Sequence, residues 1–252
     1  MFEDLWLIPL GFIAGILGSV IGLGGGIIVV PILTFFGFPP TLAASNSLFA
    51  AFSNAIASTA SYAKQKRIEY ALGLKLGLLS IPGTILGAFV SSDITPSLFK
   101  ILFALILIAS SAYIFLSKRI ESKSHNLTKQ VIVLVITASF FAGVISSLFG
   151  IGGGIIFVPL MVVGIGLSMK FAAPTSQLIL LFASGSGMIT HALLGHADFY
   201  QASLLATGAF AGGLLGARLS LEIKEKGLRI MVSIVMFVAA AKLFIDSLEV
   251  PF

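Results

Sequence analysis

The sequence predicts an all-α, polytopic membrane protein built from two copies of one hydrophobic unit. The composition is 58% hydrophobic and 10% charged, whereas a water-soluble domain carries about 25% charged residues. Long stretches lack every charged residue. The stretch between Asp4 and Lys64 is long enough for at least two membrane crossings of about 20 residues each. A third observation, an internal repeat, predicts the two copies.

The repeat is clearest where residues 15–33 read GILGSVIGLGGGIIVVPIL and residues 143–161 read GVISSLFGIGGGIIFVPLM. The glycines and the proline after them match at a shift of 128 positions, and the match resumes at a shift of 129 after one inserted residue. The pairs at the second shift are Ser47 with Ser176, Tyr62 with His191, Glu69 with Asp198, Gly83 with Gly212 and Gly87 with Gly216. Such an ordered series indicates an internal duplication.

The duplication divides the chain into repeat 1 at residues 1–117, a short polar linker at 118–128 and repeat 2 at 129–252. The linker is predicted to be cytoplasmic. Each repeat contains four hydrophobic segments. They lie at 5–37, 41–63, 70–91 and 97–117 in repeat 1, and at 130–165, 170–194, 199–218 and 228–246 in repeat 2.

Composition also excludes several classes of site and partner. The chain contains no cysteine, so we expect no disulfide, no thiolate metal site and no redox centre, and we predict no cofactor. The first charges are Glu3 and Asp4, whereas a cleavable signal peptide begins with a basic region. The net charge of +5 comes from basic residues in short loops, which is a membrane-orientation signal and does not indicate a nucleic-acid partner.

The opening segment of each repeat is too long for one plain crossing, and GLGGG or GIGGG interrupts it midway. Consecutive glycines are poor residues for a helix interior. Two structures are compatible with this pattern. The segment either crosses once as a long broken helix or dips into the membrane and returns to the same side as a re-entrant hairpin.

The basic residues favour the hairpin. With single crossings they divide nine to six between the two faces, whereas with hairpins thirteen share one face and only Lys100 and Lys242 lie on the other. A strong bias of Lys and Arg marks the cytoplasmic side. The hairpins therefore predict two antiparallel copies with both termini outside. Inverted repeats with broken helices recur in secondary transporters.

The glycine breaks are candidates for an anion site. The sequences IIVVP and IIFVP after each break predict a short half-helix, whose first N–H groups lack intrahelical partners and carry partial positive charge. Glycines at the break let a ligand approach those amides. The candidate residues are Gly24, Gly25, Gly26, Gly152, Gly153 and Gly154. The alternative is that these glycines only permit close helix packing, the role that we predict for Gly11/Gly15, Gly83/Gly87 and Gly212/Gly216.

Polar residues open the second segment of each repeat. Their hydroxyl and amide donors suit an anion that must later be released, although such residues also bond within membrane helices. The candidates are Asn46, Ser47, Thr175, Ser176 and Gln177. Tyr62 and His191 occupy equivalent positions near the ends of these segments. His191 is either a carrier of a coupling proton, with Tyr62 in the matching place, or a neutral histidine at the membrane interface.

At these motifs the chain resembles the sulfite exporter TauE/SafE family of membrane permeases. The resemblance rests on residues 18–33 with SNS at 45–47, and on residues 146–161 with PTS at 174–176. It implies export or uptake of a sulfur-containing anion such as sulfite, a sulfonate or sulfoacetate. Repeat 1 departs from the pattern at Asn46, where Thr175 of repeat 2 follows the family's usual Thr-Ser.

We therefore expect a secondary transporter in a prokaryotic cell membrane, with the lipid bilayer and a small anion as its partners. No nucleotide-binding loop of the form GxxxxGK[ST] occurs. An intramembrane enzyme is disfavoured because His191 and His196 lack the acidic residue and spacing of HExxH. A metal transporter is disfavoured because the segments lack carboxylate, thiol and clustered histidine ligands. A passive anion channel stays open as an alternative.

Overall fold

The computed structural model describes residues 4–116 and 129–223, together with scattered positions between 227 and 245. All regular structure within these residues is helical. The helices are α1 (Leu7–Ile21), α2 (Gly26–Phe35), α3 (Pro40–Lys64), α4 (Tyr70–Ser91), α5 (Pro96–Leu116), α6 (Lys129–Phe149), α7 (Gly154–Pro159), a π-helical turn (Leu160–Gly164), α8 (Met169–Leu193) and α9 (Phe199–Leu219).

The helices follow the predicted hydrophobic segments closely. Three of those described, α4, α8 and α9, are long and apolar enough to cross a membrane, and α1, α2 and parts of α5 and α6 form shorter apolar helices. The linker 118–128 lies outside the described residues, and the segment 228–246 lies largely outside them. The prediction of an all-helical membrane protein is confirmed.

Glycines set the closest helix contacts, as predicted. On α4, a methyl group added at Gly83 would lie 2.0 Å from the carbonyl oxygen of Phe140, and one at Gly87 would lie 2.3 Å from that of Val144. Helices α4 and α6 therefore touch backbone to backbone and run in the same direction. Helices α1 and α9 pack in the same way, through Gly11, Gly15, Gly208, Gly212 and Gly216.

The contacts between α3 and α8 fix their relative direction. The side chain of Leu48 lies against Gly187, and that of Phe52 lies against Gly185. Because the residue numbers rise along one helix as they fall along the other, α3 and α8 are antiparallel. They are equivalent helices of the two repeats, so they lie across from one another where the copies meet.

The other helix contacts also occur in pairs, in which each helix is replaced by its equivalent in the other repeat. Helix α1 packs on α9 while its counterpart α6 packs on α4, and α3 packs on α9 while its counterpart α8 packs on α4. Helices α1 and α3 of repeat 1 therefore pack with α9 of repeat 2, and α6 and α8 of repeat 2 pack with α4 of repeat 1. The buried core lies along these shared surfaces.

The opening segment of repeat 1 folds back on itself. Trp6, just before α1, packs against Phe36, just after α2, with ring centroids 4.8 Å apart, and its ring centroid lies 6.5 Å from that of Phe38. The start of α1 and the end of α2 therefore lie at the same end of the molecule. This arrangement agrees with the predicted hairpin, whose position relative to the membrane stays a prediction.

The inserted residue of repeat 2 has a structural counterpart. The shift changes from 128 to 129 between Pro159 and Ser168, and the π-helical turn Leu160–Gly164 lies in that interval. A single π-helical turn accommodates one extra residue inside an α-helix. The turn therefore absorbs the insertion and leaves α8 in register with α3.

Candidate functional site

The two glycine breaks meet at the centre of the bundle. A methyl group added at Gly26 would lie 2.2 Å from the carbonyl oxygen of Gly150, and one at Gly154 would lie 2.2 Å from that of Gly22. These two contacts exchange equivalent residues of the two repeats. The breaks thus pack backbone against backbone, and the half-helices α2 and α7 begin at their junction.

The break itself requires glycine. In repeat 1 the φ angles of Gly22, Gly24 and Gly25 are 85°, 78° and 84°, a left-handed conformation that residues with a Cβ rarely adopt. Gly22 ends α1, and the following N–H of Leu23 bonds to the Gly18 carbonyl 2.8 Å away, as in a left-handed C-terminal cap. Repeat 2 repeats the pattern at Gly150, Gly152 and Gly153.

Two of the predicted serines tie each break to the other repeat. The hydroxyl of Ser47 donates to the carbonyl oxygen of Gly150 at 2.8 Å, and the hydroxyl of Ser176 donates to that of Gly22 at 2.5 Å. Both serines are fully buried. In this arrangement their hydroxyls stabilise the breaks, and a direct contact with an anion remains a prediction.

Asn46 binds the loop before α9, and Thr175 binds the loop before α4. The Asp198 N–H donates to Asn46 Oδ1 at 3.1 Å, and the equivalent Glu69 N–H donates to Thr175 Oγ1 at 3.0 Å. The Nδ2 group of Asn46 also donates to Gln201 Oε1 at 3.3 Å. The structure therefore places both residues at loop anchors, and substrate contact by either stays untested.

Gln177 is a predicted site residue whose side chain has one polar atom without a hydrogen-bond partner. Its Nε2 group donates to the carbonyl oxygen of Gly18 at 2.9 Å, one turn before the first break. Its Oε1 atom is buried without a hydrogen-bond partner. An amide oxygen accepts hydrogen bonds, so this atom suits a hydroxyl of a protonated anion better than a bare oxyanion oxygen.

Tyr62 and His191 perform equivalent tasks. The Tyr62 hydroxyl donates to the carbonyl oxygen of Ser19 at 2.8 Å, and Nε2 of His191 lies 3.1 Å from the carbonyl oxygen of Ser147. Each carbonyl belongs to the last turns of the helix before a break. Both side chains are fully buried by other groups of the protein. A role of His191 as a proton carrier and its place as a neutral histidine at the membrane interface both stay predictions. The chain after α8 turns at Gly195 and brings His196 over the ring.

The structure also reveals residues that sequence reasoning missed. Leu180 lies beside both breaks, with its Cδ2 atom 2.3 Å from a methyl group added at Gly24 and 3.2 Å from one at Gly152. Its equivalent at the shift of 129 is Ala51, which faces the same two glycines. The two residues occupy the centre of the pseudo-symmetric arrangement. The shift of 129 shows from the sequence that Ala51 and Leu180 are equivalent. Because both side chains are apolar, nothing in their chemistry suggested a place beside the breaks.

Two further residues near the second break were missed. The hydroxyls of Ser146 and Ser147 are buried without a hydrogen-bond partner, and Ser146 Cβ lies 3.3 Å from a methyl group added at Gly153. Ser146 is thus a hydrogen-bond donor beside the start of α7, whereas the Ser147 side chain lies against Gly187 of α8. Their place within the repeated motif was visible, but serine is too common in membrane helices to single them out.

Comparisons with known proteins decide the family. A family model described as Sulfite exporter TauE/SafE matches residues 7–243, which include both breaks. The chain belongs to the TauE/SafE family. It is therefore a membrane transporter and not an enzyme.

The curated relatives agree in length and description. The "Probable membrane transporter protein YunE" of Bacillus subtilis is 31% identical over 96% of this chain and 97% of its own length. A probable membrane transporter protein of Methanocaldococcus jannaschii is 34% identical over 93% of this chain and 94% of its own. A third, YfcA of Escherichia coli, is 24% identical over 93% of this chain. No solved structure matches the chain.

The chemistry available to this TauE/SafE transporter is that of neutral donors and helix termini. Among the described residues there is no group of three or more His, Cys, Asp or Glu side chains that could hold a metal ion. What the two breaks bring together is backbone N–H groups at helix starts, serine hydroxyls and one glutamine amide. Such groups can hold an anion without a permanent counter-charge.

Proposed function

We propose that this chain is a secondary transporter of a small sulfur-containing anion, such as sulfite, a sulfonate or sulfoacetate, in a prokaryotic plasma membrane. The observation that carries the proposal is the meeting of the two breaks, where α2 and α7 start side by side. The family description names sulfite export. The relatives come from bacteria and an archaeon, which supports the prokaryotic membrane.

The helix starts provide the attraction for the anion. The first N–H groups of a helix have no intrahelical acceptor, and the helix dipole adds partial positive charge there. The candidate contacts are the amides of Gly25, Gly26 and Gly152–Gly154, with Ser47, Ser176 and Gln177 beside them. The Gly24 N–H already donates to the carbonyl oxygen of Gly18 at 3.2 Å, so Gly24 contributes only its lack of a side chain. Because no lysine or arginine is involved, binding is expected to be weak enough for release.

The packing at the junction supports the proposal of alternating access. Gly26 and Gly154 touch the opposite break through backbone atoms, and Leu180 covers Gly24. An anion can reach the amides only when the two repeats move apart at one end. Motion of one repeat against the other around a central site is the usual plan of transporters with inverted repeats.

The proposal includes an inverted topology with both termini outside. Three kinds of observation support it: the antiparallel α3 and α8, the folded-back opening segment, and the order of the basic residues in the sequence, since thirteen of the fifteen share one face when both opening segments are hairpins. Repeat 1 (1–117) and repeat 2 (129–252) would then differ in orientation but share one internal fold, with the linker 118–128 in the cytoplasm.

Cysteine labelling tests the topology without a background, since the chain has no cysteine. Pro39 and Ser168 are equivalent at the shift of 129, immediately precede α3 and α8, and are both exposed. We expect Pro39→Cys to react with a membrane-impermeant maleimide added outside intact cells. Ser168→Cys should react only after the membrane is opened. Labelling of both from the same side would overturn the inverted arrangement.

Transport is tested with purified protein in proteoliposomes, using radiolabelled sulfite, sulfate and ethanesulfonate. We expect saturable uptake of at least one sulfur anion, and faster uptake when the lumen is preloaded with the same unlabelled anion. Non-saturable flux without this counterflow would favour the passive channel. If empty liposomes and protein-containing liposomes take up all three anions equally, the substrate class is wrong.

A further inference from the structure

Two side-chain clusters lie at equivalent positions near opposite ends of the bundle. We call Tyr62, Arg67 and Ser220 the inner cluster, because it lies at the end rich in basic residues. We call His191, His196 and Ser92 the outer cluster. Tyr62 and His191 are equivalent at the shift of 129, and so are Arg67 and His196. Each cluster begins at the buried residue that binds the helix end before a break.

The inner cluster holds a permanent cation. The Arg67 guanidinium lies over the ring of Tyr62, 5.4 Å from its centroid, and donates to Ser220 Oγ at 3.0 Å. It also donates to the carbonyl oxygen of Lys170 at 3.0 Å. Burial lowers the pKa of Arg67, but from a usual value so high that the group stays charged at any physiological pH.

The outer cluster replaces these residues with two titratable rings. Nδ1 of His191 lies 3.0 Å from Nδ1 of His196, and Nε2 of His196 lies 3.1 Å from Ser92 Oγ. His191 is fully buried, whereas His196 is half-buried in the loop between α8 and α9. A continuous hydrogen-bonded path therefore runs from the outer surface to the Ser147 carbonyl before the second break.

The partners fix the protons of the neutral cluster. A carbonyl oxygen can only accept, so His191 Nε2 must carry the proton toward Ser147, and its Nδ1 is then an acceptor. His196 Nδ1–H donates to that atom, and the Ser92 hydroxyl donates to His196 Nε2. Every polar atom of the path has a partner.

One added proton fits this path and a second does not. A proton on His196 Nε2 lets that nitrogen donate to Ser92 Oγ, which can turn its own hydrogen away. The pair then shares one positive charge. A second proton would place two N–H groups face to face across the 3.0 Å gap between the Nδ1 atoms, and the rings would have to separate.

We propose that His191 and His196 form a proton-binding site of one shared proton, through which the external pH controls the opening of the outer end. The binding of the proton stands on the geometry of the pair. Its effect on transport rests on the function proposed above.

Few charged groups among the described residues lie close enough to His191 and His196 to alter their protonation. The elements packed against this end of α8 carry their titratable residues at the opposite end: Tyr62 and Lys64 on α3, Tyr70 and Lys75 on α4, and Lys129 on α6. The carboxylates nearest in sequence are Asp93 and Asp198. The Asp198 carboxylate accepts from the N–H groups of Tyr200 and Gln201 as the cap of α9.

The direction of the pH effect follows from linkage. Burial lowers the pKa of His196 in the arrangement described here. A state in which this ring is hydrated binds the proton more tightly, so protonation favours that state. Acid outside, below the ordinary histidine pKa of about 6.5, should therefore favour an open outer end. One linked proton can change the open population by at most about tenfold per pH unit.

The first test measures the proton directly and needs no substrate. The chain has three histidines, so His125→Gln leaves only the pair, and ¹⁵N-imidazole spectra in lipid nanodiscs are recorded as the pH is lowered. We expect both rings to respond together to one shared proton. Two independent titrations would overturn the site, whatever the transported anion proves to be.

The second test copies the inner cluster onto the outer end. In proteoliposomes with fixed internal pH, wild-type uptake should rise as the external pH falls from about 7.5 to about 5.5. His191→Tyr with His196→Arg should fold, because Tyr62 and Arg67 already form this pair, and its uptake should no longer respond to external pH. His125→Gln should respond like wild type. An unchanged pH response in the double variant would overturn the coupling, and absence of any uptake by wild type would count against the proposed function alone.

Discussion

Gly26→Ala and Gly154→Ala are each expected to abolish anion uptake and to lower the temperature of thermal unfolding. The added methyl group would lie 2.2 Å from a carbonyl oxygen of the opposite break, and that oxygen belongs to a backbone that cannot turn aside. Neither glycine has a positive φ, so contact and not backbone strain causes the effect. Overpacking of a tight contact costs about 1–3 kcal/mol, and here it also displaces the proposed anion site.

A matched control is available in the same hairpin of repeat 2. Gly164 ends the π-helical turn, and a methyl group there would lie 3.4 Å from Leu160 Cδ1, an ordinary contact. Gly164→Ala should keep its uptake and its unfolding temperature close to those of the wild type. If Gly26→Ala behaves like Gly164→Ala in both measurements, the junction of the breaks is not needed for transport.

The parts of the fold that the sequence predicts are those encoded by local pattern. Charge-free stretches of sufficient length located the helices, and the glycine runs located the breaks, because these features act within one segment. The packing role of Gly83 and Gly212 was also predicted, since small residues four apart form a flat helix face. The folding back of the opening segment could not be predicted from local pattern alone, and its prediction used the distribution of basic residues along the whole chain.

The partners of the site residues could not be predicted in the same way. Ser47 bonds to Gly150 and Asn46 bonds to the N–H of Asp198, and both contacts join different repeats across more than a hundred residues. A sequence shows which residues are equivalent but not which pairs meet when the copies interlock. The exchange of equivalent contacts, such as Thr175 with Glu69, becomes visible only in the assembled bundle.

The burial of His191 depends on the loop that follows α8. Its distance of about one turn from the helix end suggested an interfacial position. The loop after α8 turns at Gly195, which has a φ of 75°, and returns His196 onto the ring. Burial of His191 therefore depends on a tertiary contact that helical periodicity does not encode. Arg67 and His196 are equivalent at the shift of 129, but this equivalence does not show that either residue packs on the helix before it.

Ser47→Ala and Ser176→Ala should each destabilise the protein by about 1–3 kcal/mol, the usual cost of leaving a buried carbonyl without its donor. Each variant removes a hydroxyl that binds a carbonyl oxygen of the opposite break. The double variant should lose at least the sum, because the two bonds hold the same junction from both sides. Thermal unfolding in detergent micelles, read by circular dichroism, measures the loss.

Ser45 supplies the comparison that separates this bond from burial. It lies two residues before Ser47 on α3 and is equally buried, but its hydroxyl has no hydrogen-bond partner. Ser45→Ala removes a buried polar group without breaking a bond, so its stability should equal or exceed that of the wild type. Equal losses in Ser45→Ala and Ser47→Ala would mean that the serines act through packing. A loss confined to Ser47→Ala and Ser176→Ala would assign the stability of the junction to the two bonds between the repeats.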